Sequence, residues 1–291
     1  MLKYVLISMR PKQWIKNLFI FLPLVFGRKM FSFPENVLAV AAFFLFSLIA
    51  GAVYIVNDIL DAERDKTHPV KSLRPVASGR LKARAAWNAA FVTGAIALGL
   101  SFALNMKFGW MAAGYLLFNL VYSKFLKNAV IIDVFCIGVF FLFRIIAGGI
   151  IAGVVISRWI LIMTALLALF LGFNKRRQEL KLQEKGGVPS RKVLEKYNAY
   201  FIDQMISVVT SSIVVVYMLY TLDSRTVSEA GSTHLMYSIP FVYYGIFRYL
   251  YLIHKHHEDG DPTRILLRDA KMQINLALWI IVCIAVIYFG V

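Results

Sequence analysis

The stretch Val37-Leu-Ala-Val-Ala-Ala-Phe-Phe-Leu-Phe-Ser-Leu-Ile-Ala-Gly-Ala-Val-Tyr-Ile-Val56 carries no charge and runs straight into Asn57-Asp58-Ile-Leu-Asp61-Ala-Glu-Arg-Asp65. Its first part is long enough to cross a bilayer as a helix, which takes about 20 apolar residues. Its second part places acids where such a helix would leave the membrane. Comparable apolar runs recur nearly end to end: the 291 residues are 59% hydrophobic and 16% charged. A soluble domain has about 25% charged residues and could not bury so much apolar surface. The expectation is an all-α, polytopic membrane protein forming one domain over 1–291.

Spans are expected near 17–35, 37–56, 87–105, 108–123, 129–151, 159–174, 203–222, 235–253 and 273–291, the first interrupted by Pro23 and by Arg28-Lys29. Lysine and arginine collect on the cytoplasmic side of membrane proteins. With the N-terminus cytoplasmic, the segments on that side hold 25 of the 32 basic residues, and the opposite connections hold Arg28, Lys29, Lys107, Arg158 and Arg225. That asymmetry predicts nine transmembrane helices with the N-terminus inside. It also explains much of the net charge of +16 as topology setting and attraction to anionic lipid. Nucleic-acid binding is not expected, because the cations are spread over short loops. The N-terminus lacks the short apolar core and small-residue site of a cleavable signal. Cys136 and Cys283 lie in apolar runs and suggest neither a disulfide nor a zinc site.

On a helix, Asn57, Asp61 and Asp65 follow at intervals of four and Asp58 precedes Asp61 by three, so they share a face, with Tyr54 one turn earlier. Carboxylates stacked this way repel unless a cation joins them. Hard oxygen donors with room for water and phosphate suit Mg²⁺. Asn57, Asp58, Asp61 and Asp65 are therefore the candidate metal ligands, and the three aspartates the candidate catalytic residues. Next comes the proline-punctuated basic loop Lys66-Thr-His68-Pro-Val-Lys71-Ser-Leu-Arg74-Pro-Val-Ala-Ser78-Gly79-Arg80. Acids followed by Lys71 and Arg74 suggest a diphosphate held by metal on one side and cations on the other.

Within the spans, Asp133 and Arg144 stand eleven residues apart on one helix face. Ionisable groups at such depth usually face the bundle interior and serve function. Arg144 is a candidate for a substrate phosphate, and Asp133 for Lys124, Lys127 or a ribose hydroxyl, with a purely structural role open for both. Arg248 is expected to snorkel. His254, His256 and His257 have poor spacing for a closed zinc site, whereas Asp259, Asp261 and Asp269 are candidates for capping a pocket through Arg264 and Arg268. Gly149-x-x-x-Gly153 suggests close helix packing.

The series Asn57-Asp58-x-x-Asp61-x-x-x-Asp65 with its Lys/Arg-Pro-x-Ala-Ser-Gly loop resembles the first aspartate-rich motif of the UbiA superfamily of intramembrane prenyltransferases. The resemblance implies a helical bundle with a polar cavity at the cytoplasmic face, in the cell membrane. Ordinary members carry a second aspartate-rich motif after the sixth span. Here that stretch reads Gly172-Phe-Asn174-Lys175-Arg176-Arg177-Gln-Glu179-Leu180, which suits anionic groups bound directly. Together with Arg10-Pro-Lys12-Gln-Trp-Ile-Lys16-Asn17, Tyr122-Ser-Lys124-x-x-Lys127 and Asp259-Gly-Asp261-Pro-Thr-Arg264-x-x-x-x-Asp269, it resembles the branch that transfers phosphoribose onto polyprenyl phosphate.

The resemblance implies an Mg²⁺-dependent glycosyltransferase. It would move 5-phosphoribose from soluble 5-phosphoribosyl 1-diphosphate to a polyprenyl (decaprenyl) phosphate, as precursor of a lipid-linked arabinose donor in cell-wall biosynthesis. Lys16, Tyr54, Lys71, Arg74, Lys124, Lys127, Asp133, Arg144, Lys175, Arg176, Arg177 and Glu179 would bind substrates. Two other readings stay open on the sequence. One is a prenyltransferase joining a polyprenyl diphosphate to an aromatic or small acceptor, and the other is a polyprenyl-phosphate transporter. Homo-oligomer formation is left open.

Overall fold

The computed structural model describes residues 1–67, 70–184, 192–255 and 268–290, and every regular element among them is helical. The α-helices are α1 Leu2–Ser8, α2 Leu22–Phe26, α3 Phe33–Leu60, α4 Ala62–Lys66, α5 Ala83–Leu104, α6 Met106–Lys124, α7 Ile132–Ala152, α8 Arg158–Glu184, α9 Ala199–Leu222, α10 Ser224–Ala230, α11 Ile239–Lys255 and α12 Ala270–Phe289. The chain divides into two compact units: Met1–Cys136 with Phe140–Ile156, and Ile137–Val139 with Ser157–Val291.

Six helices (α3, α5, α7, α8, α9 and α12) are long and apolar enough to cross a membrane. The expected fourth and eighth spans are present as α6 and α11, outside that set: α6 carries Lys107, Asn119 and Lys124, and α11 is 17 residues long with Arg248 inside it. The stretch expected to form the first span is not one helix. A 3₁₀ segment, Pro11–Phe21, leads into the five-residue α2. Nor does the sixth span end at 174. It continues as α8 through Glu184, so Lys175, Arg176, Arg177 and Glu179 sit on a helix rather than in a loop. No proline or glycine interrupts 173–184, and Arg, Gln, Glu, Lys and Leu there are good helix formers.

In the first unit α3 packs against α5, α6 and the 3₁₀ segment. Its buried residues Ala39, Ala42, Phe46, Ile49, Ala50 and Val53 recur at helical spacing and meet Ile20, Leu24, Ala97, Phe108, Ala112, Tyr115, Ala147 and Ile151. A second apolar cluster joins Met9, Ile55, Val76, Leu81, Ala86 and Ala90. In the second unit α8 packs on α9, and α11 on α12. Helix starts follow short polar caps: Asn105, Asn198 and Asp269 accept from the N–H groups of Phe108, Phe201 and Met272 at 3.1, 2.7 and 2.7 Å. Gly149 is tightly packed, since a Cβ there would lie 2.5 Å from Ile156. Gly153 instead ends α7 with φ +64°, a conformation glycine adopts without a Cβ clash.

Candidate active site

The acidic residues occupy the end of α3 and the break into α4. Asp61 closes α3 at φ −96°, ψ 2°, and its carbonyl accepts from Asp65 N–H at 2.9 Å, so the two helices are nearly continuous. Asp58 and Asp65 are buried, each 2% exposed, while the Asp61 side chain is 33% exposed. Each carboxylate meets a cation. Arg10 donates to Asp58. Arg74 donates to Asp65 at 2.5 Å and lies 3.4 Å from Asp58, so one guanidinium serves acids two turns apart. Lys127 reaches Asp61 at 3.1 Å, and Ser123 donates to the Asn57 side-chain oxygen at 2.8 Å. Three acids and three cations thus alternate, which offsets the repulsion within the acidic row and the cost of burying two of its members.

The cations come from three places, each held by local structure. Arg74 opens Arg74-Pro75-Val76-Ala77-Ser78-Gly79, whose Val76 and neighbouring Leu81 are sunk in the second apolar cluster. Ser78 N–H bonds the Arg74 carbonyl at 2.9 Å, Gly79 takes φ +75°, and Arg80 donates to the Leu73 carbonyl. The loop is therefore shaped, and its arginine is aimed. Lys127 sits in the 3₁₀ turn Leu126–Asn128 after α6. Arg10 stands between α1 and the 3₁₀ segment with φ 53° and ψ 63°, a left-handed conformation costing an ordinary residue roughly 1–2 kcal/mol. Its guanidinium lies 5.1 Å from the centre of the Tyr54 ring.

Other expected site residues fall around this cluster or elsewhere. Lys16 and Lys71 are half-buried in the first unit. Lys124 is exposed and lies over the Phe125 ring, 5.2 Å from its centre. Asp133 is completely buried in the first turn of α7. Arg144 is a further buried cation, held at 2.7 Å by Asn17 and at 3.3 Å by the Tyr115 hydroxyl, with the Phe140 carbonyl as third acceptor. Eleven residues of α-helix separate it from Asp133 by about 16 Å, so the two do not form a pair.

In the second unit Arg176 is 0% exposed and donates to Glu179 at 2.6 Å, while Arg177 donates to Asp203 at 2.8 Å. Lys175 lies between Asn174 and Arg176 on α8 and is half-buried. Arg248 does not simply snorkel: it grips Asp269 with two bonds, at 3.2 and 2.7 Å. That bond and the Met272 N–H hold Asp269 below the usual carboxylate range. His254 bonds the Leu250 carbonyl at 2.8 Å. His256, His257, Asp259, Asp261 and Arg264 lie outside the described residues.

The sequence reading missed Arg10 and Ser123 as site residues, although both lie in segments it singled out. The available signal was Arg10 beside Pro11, one of several cations in a basic N-terminal stretch. Its partner, 48 residues away, was not legible.

Among the described residues, no three acidic, histidine or cysteine side chains converge as a metal site. The donor set itself, three carboxylates and an amide on two helical turns, has the hard-oxygen chemistry that Mg²⁺ takes. Its oxygens are here engaged by Arg10, Arg74, Lys127 and Ser123.

The chain matches the UbiA prenyltransferase family model over residues 18–277. It is 32% identical to a decaprenyl-phosphate phosphoribosyltransferase of Mycobacterium tuberculosis, over 97% of this chain and 94% of that protein. It is 31% identical to one of Corynebacterium glutamicum, over 97% and 86%. Among solved structures, a UbiA homolog from Archaeoglobus fulgidus bound to GPP and Mg²⁺ superposes with a TM-score of 0.72 at 21% identity, covering 98% of this chain and 99% of that one. With its apolar helices and this near full-length match, the chain is a multi-pass membrane protein belonging to the UbiA prenyltransferase family.

Proposed function

We propose that this chain is a polyprenyl-phosphate phosphoribosyltransferase, working as one transmembrane domain with nine spans and its acidic cluster at the cytoplasmic face of the cell membrane. The observation that carries the reading is the alternation of Asp58, Asp61 and Asp65 with Arg10, Arg74 and Lys127. A diphosphate and two phosphate monoesters bring many negative charges together, and such a cluster supplies both metal-ligating oxygens and cations. The full-length similarity to enzymes named decaprenyl-phosphate phosphoribosyltransferase supports the same substrates here.

Asn57, Asp58, Asp61 and Asp65 would hold Mg²⁺, which when bound supplies Lewis-acid stabilisation of a departing diphosphate. Arg10, Arg74, Lys127 and Lys71 would bind donor phosphates. Lys16, Tyr54, Lys124 and Asp133 are proposed as further substrate-binding residues of the first unit. Lys175, Arg176, Arg177 and Glu179 are proposed to serve the remaining phosphates. The polyprenyl phosphate needs no strong base, because a phosphate monoester has its second pKa at about 6 and arrives largely ionised. Its oxygen attacks ribose C1, the bond from C1 to the diphosphate oxygen breaks, diphosphate leaves with the electron pair, and C1 inverts.

The test is to incubate purified protein with Mg²⁺, polyprenyl phosphate and 5-phosphoribosyl 1-diphosphate labelled in the ribose. Label in the organic phase that depends on the lipid phosphate is the expected result. In a parallel incubation with labelled polyprenyl diphosphate and a small aromatic acceptor, label joined to the acceptor would favour the prenyltransferase reading.

A further inference from the structure

We propose that Asn17 is a positioning residue. With Arg144 it locks the Pro11–Phe21 segment in 3₁₀ form, and the length of that form sets Arg10 on Asp58. The inference rests on the donor-binding reading of the Asp58 cluster.

Eleven residues is long for a 3₁₀ helix, since runs beyond three or four are uncommon and their hydrogen bonds are poor. Something outside the segment must hold it. Asn17 is completely buried and touches two helices at once. Its amide donates to Ser47 of α3 at 2.8 Å, and its oxygen accepts from Arg144 of α7 at 2.7 Å. Three residues on, the Ile20 backbone lies against Gly148 of α7 so closely that a Cβ there would sit 2.1 Å from the Ile20 carbonyl oxygen. The C-terminal half of the segment is thus pinned between α3 and α7.

Arg144 belongs to this lock. It is 3% exposed, and the Phe46, Tyr115 and Phe141 rings surround its guanidinium at 5.4 to 5.5 Å. Its guanidinium donates to an amide oxygen, a phenol and a backbone carbonyl. Cation–π contacts and these bonds offset part of the cost of burying the charge. A group spent this way within the bundle suits fixing Asn17 better than gripping a substrate phosphate.

The geometry then decides what the lock achieves. Seven residues separate Asn17 from Arg10. A 3₁₀ helix rises about 2.0 Å per residue and an α-helix about 1.5 Å, so relaxation to α-helix would draw Arg10 in by roughly 3.5 Å. Three residues per turn against 3.6 would also rotate it by roughly 140°. Either change breaks a hydrogen-bonded contact to Asp58. At the far end Trp14 donates to the Met9 carbonyl at 3.2 Å, and Met9 packs on Gly51, so the turn carrying Arg10 is itself fixed. Left-handed strain at Arg10 persists only where the surroundings over-determine it.

Two measurements test this in purified full-length protein. The first is the donor KM of wild type, Asn17→Leu, Arg10→Ala and the double variant. Each single change is expected to raise KM for 5-phosphoribosyl 1-diphosphate about tenfold, as loss of a charge-assisted bond would, with the acceptor KM within about twofold. The double variant should match Arg10→Ala, because Asn17 acts through Arg10. An unchanged donor KM in Asn17→Leu, or effects that multiply, overturns the proposal. If Asn17→Leu does not fold, Ser47→Ala removes only one anchor, and a donor KM unmoved by it overturns the proposal as well. The second measurement needs no transferase activity. An Arg10→Cys/Asp58→Cys pair should be joined by a short bis-thiosulfonate reagent several times faster with Asn17 than with Asn17→Leu, which can neither accept from Arg144 nor donate to Ser47. Equal rates overturn the lock, whereas normal cross-linking in a protein inert toward the donor would fault only the functional reading.

Discussion

Arg10 and Asp58 are 48 residues apart in sequence and in direct contact, and the carboxylate is only 2% exposed whereas its neighbour Asp61 is 33% exposed. The two acids therefore separate stability from catalysis. Asp58→Asn leaves Arg10 and Arg74 facing an uncharged amide, and breaking a buried pair costs roughly 3–5 kcal/mol. Asp61→Asn removes a half-solvated pair worth roughly 0–1 kcal/mol. We expect both to abolish phosphoribosyl transfer, but only Asp58→Asn to lower the melting temperature clearly in detergent. Wild-type turnover in Asp61→Asn would take the acidic face out of the mechanism.

Lys127 occupies the Asp61 oxygen that a divalent ion would need, at 3.1 Å. Activity is expected to require Mg²⁺ or Mn²⁺ and to vanish in chelator. In Lys127→Met the Mg²⁺ concentration for half-maximal rate should fall severalfold, while the donor KM rises. A metal titration unchanged by the substitution would separate Lys127 from the ligand set.

Arg176 and Arg177 are adjacent on α8 but differ in burial. Arg176 is fully enclosed against Glu179, and Arg177 is paired with a half-exposed Asp203. Arg176→Gln is therefore expected to destabilise the protein by several kcal/mol. Arg177→Gln should cost roughly 0–1 kcal/mol of stability and so isolate any phosphate contact. We expect its turnover per folded molecule to drop on the order of ten- to a hundredfold. Near-normal turnover would leave Arg177 with a structural role alone.

Asp269 caps α12 and is held below its ordinary pKa of 3.8, first by Arg248 and then by the Met272 N–H. A depressed carboxylate stabilises the fold above its unfolded pKa, and that stability is lost as pH falls through the lower, folded value. The melting-temperature advantage of wild type over Asp269→Asn should be full at pH 6 and shrink only below about pH 4. An advantage undiminished between pH 6 and pH 2 would mean that charge is not its source.

The helical class, the apolar runs and the acidic row were legible in the sequence because each depends on local composition or on spacing within two turns. α3, α5, α7, α9 and α12 appear within a few residues of the expected spans. The 3₁₀ form of the first expected span was not legible, because apolar content does not distinguish a 3₁₀ segment from an α-helix. Arg10 and Asn17 looked like ordinary members of a basic N-terminal stretch. The extension of α8 to Glu184 was missed because a charged continuation was taken for a loop, although its residues favour helix.

Alone, the sequence determined that the chain builds membrane-crossing helices and carries an acid row beside a basic loop, since hydropathy and i, i+4 spacing are properties of contiguous residues. Only the tertiary structure decided which cation meets which acid. Arg10, Arg74 and Lys127 come from segments 48, 9 and 66 residues from their partners. Their meeting depends on how α1, the Arg74 loop and the end of α6 pack around α3. Ion pairs of that kind are set by packing and burial, which no local pattern encodes.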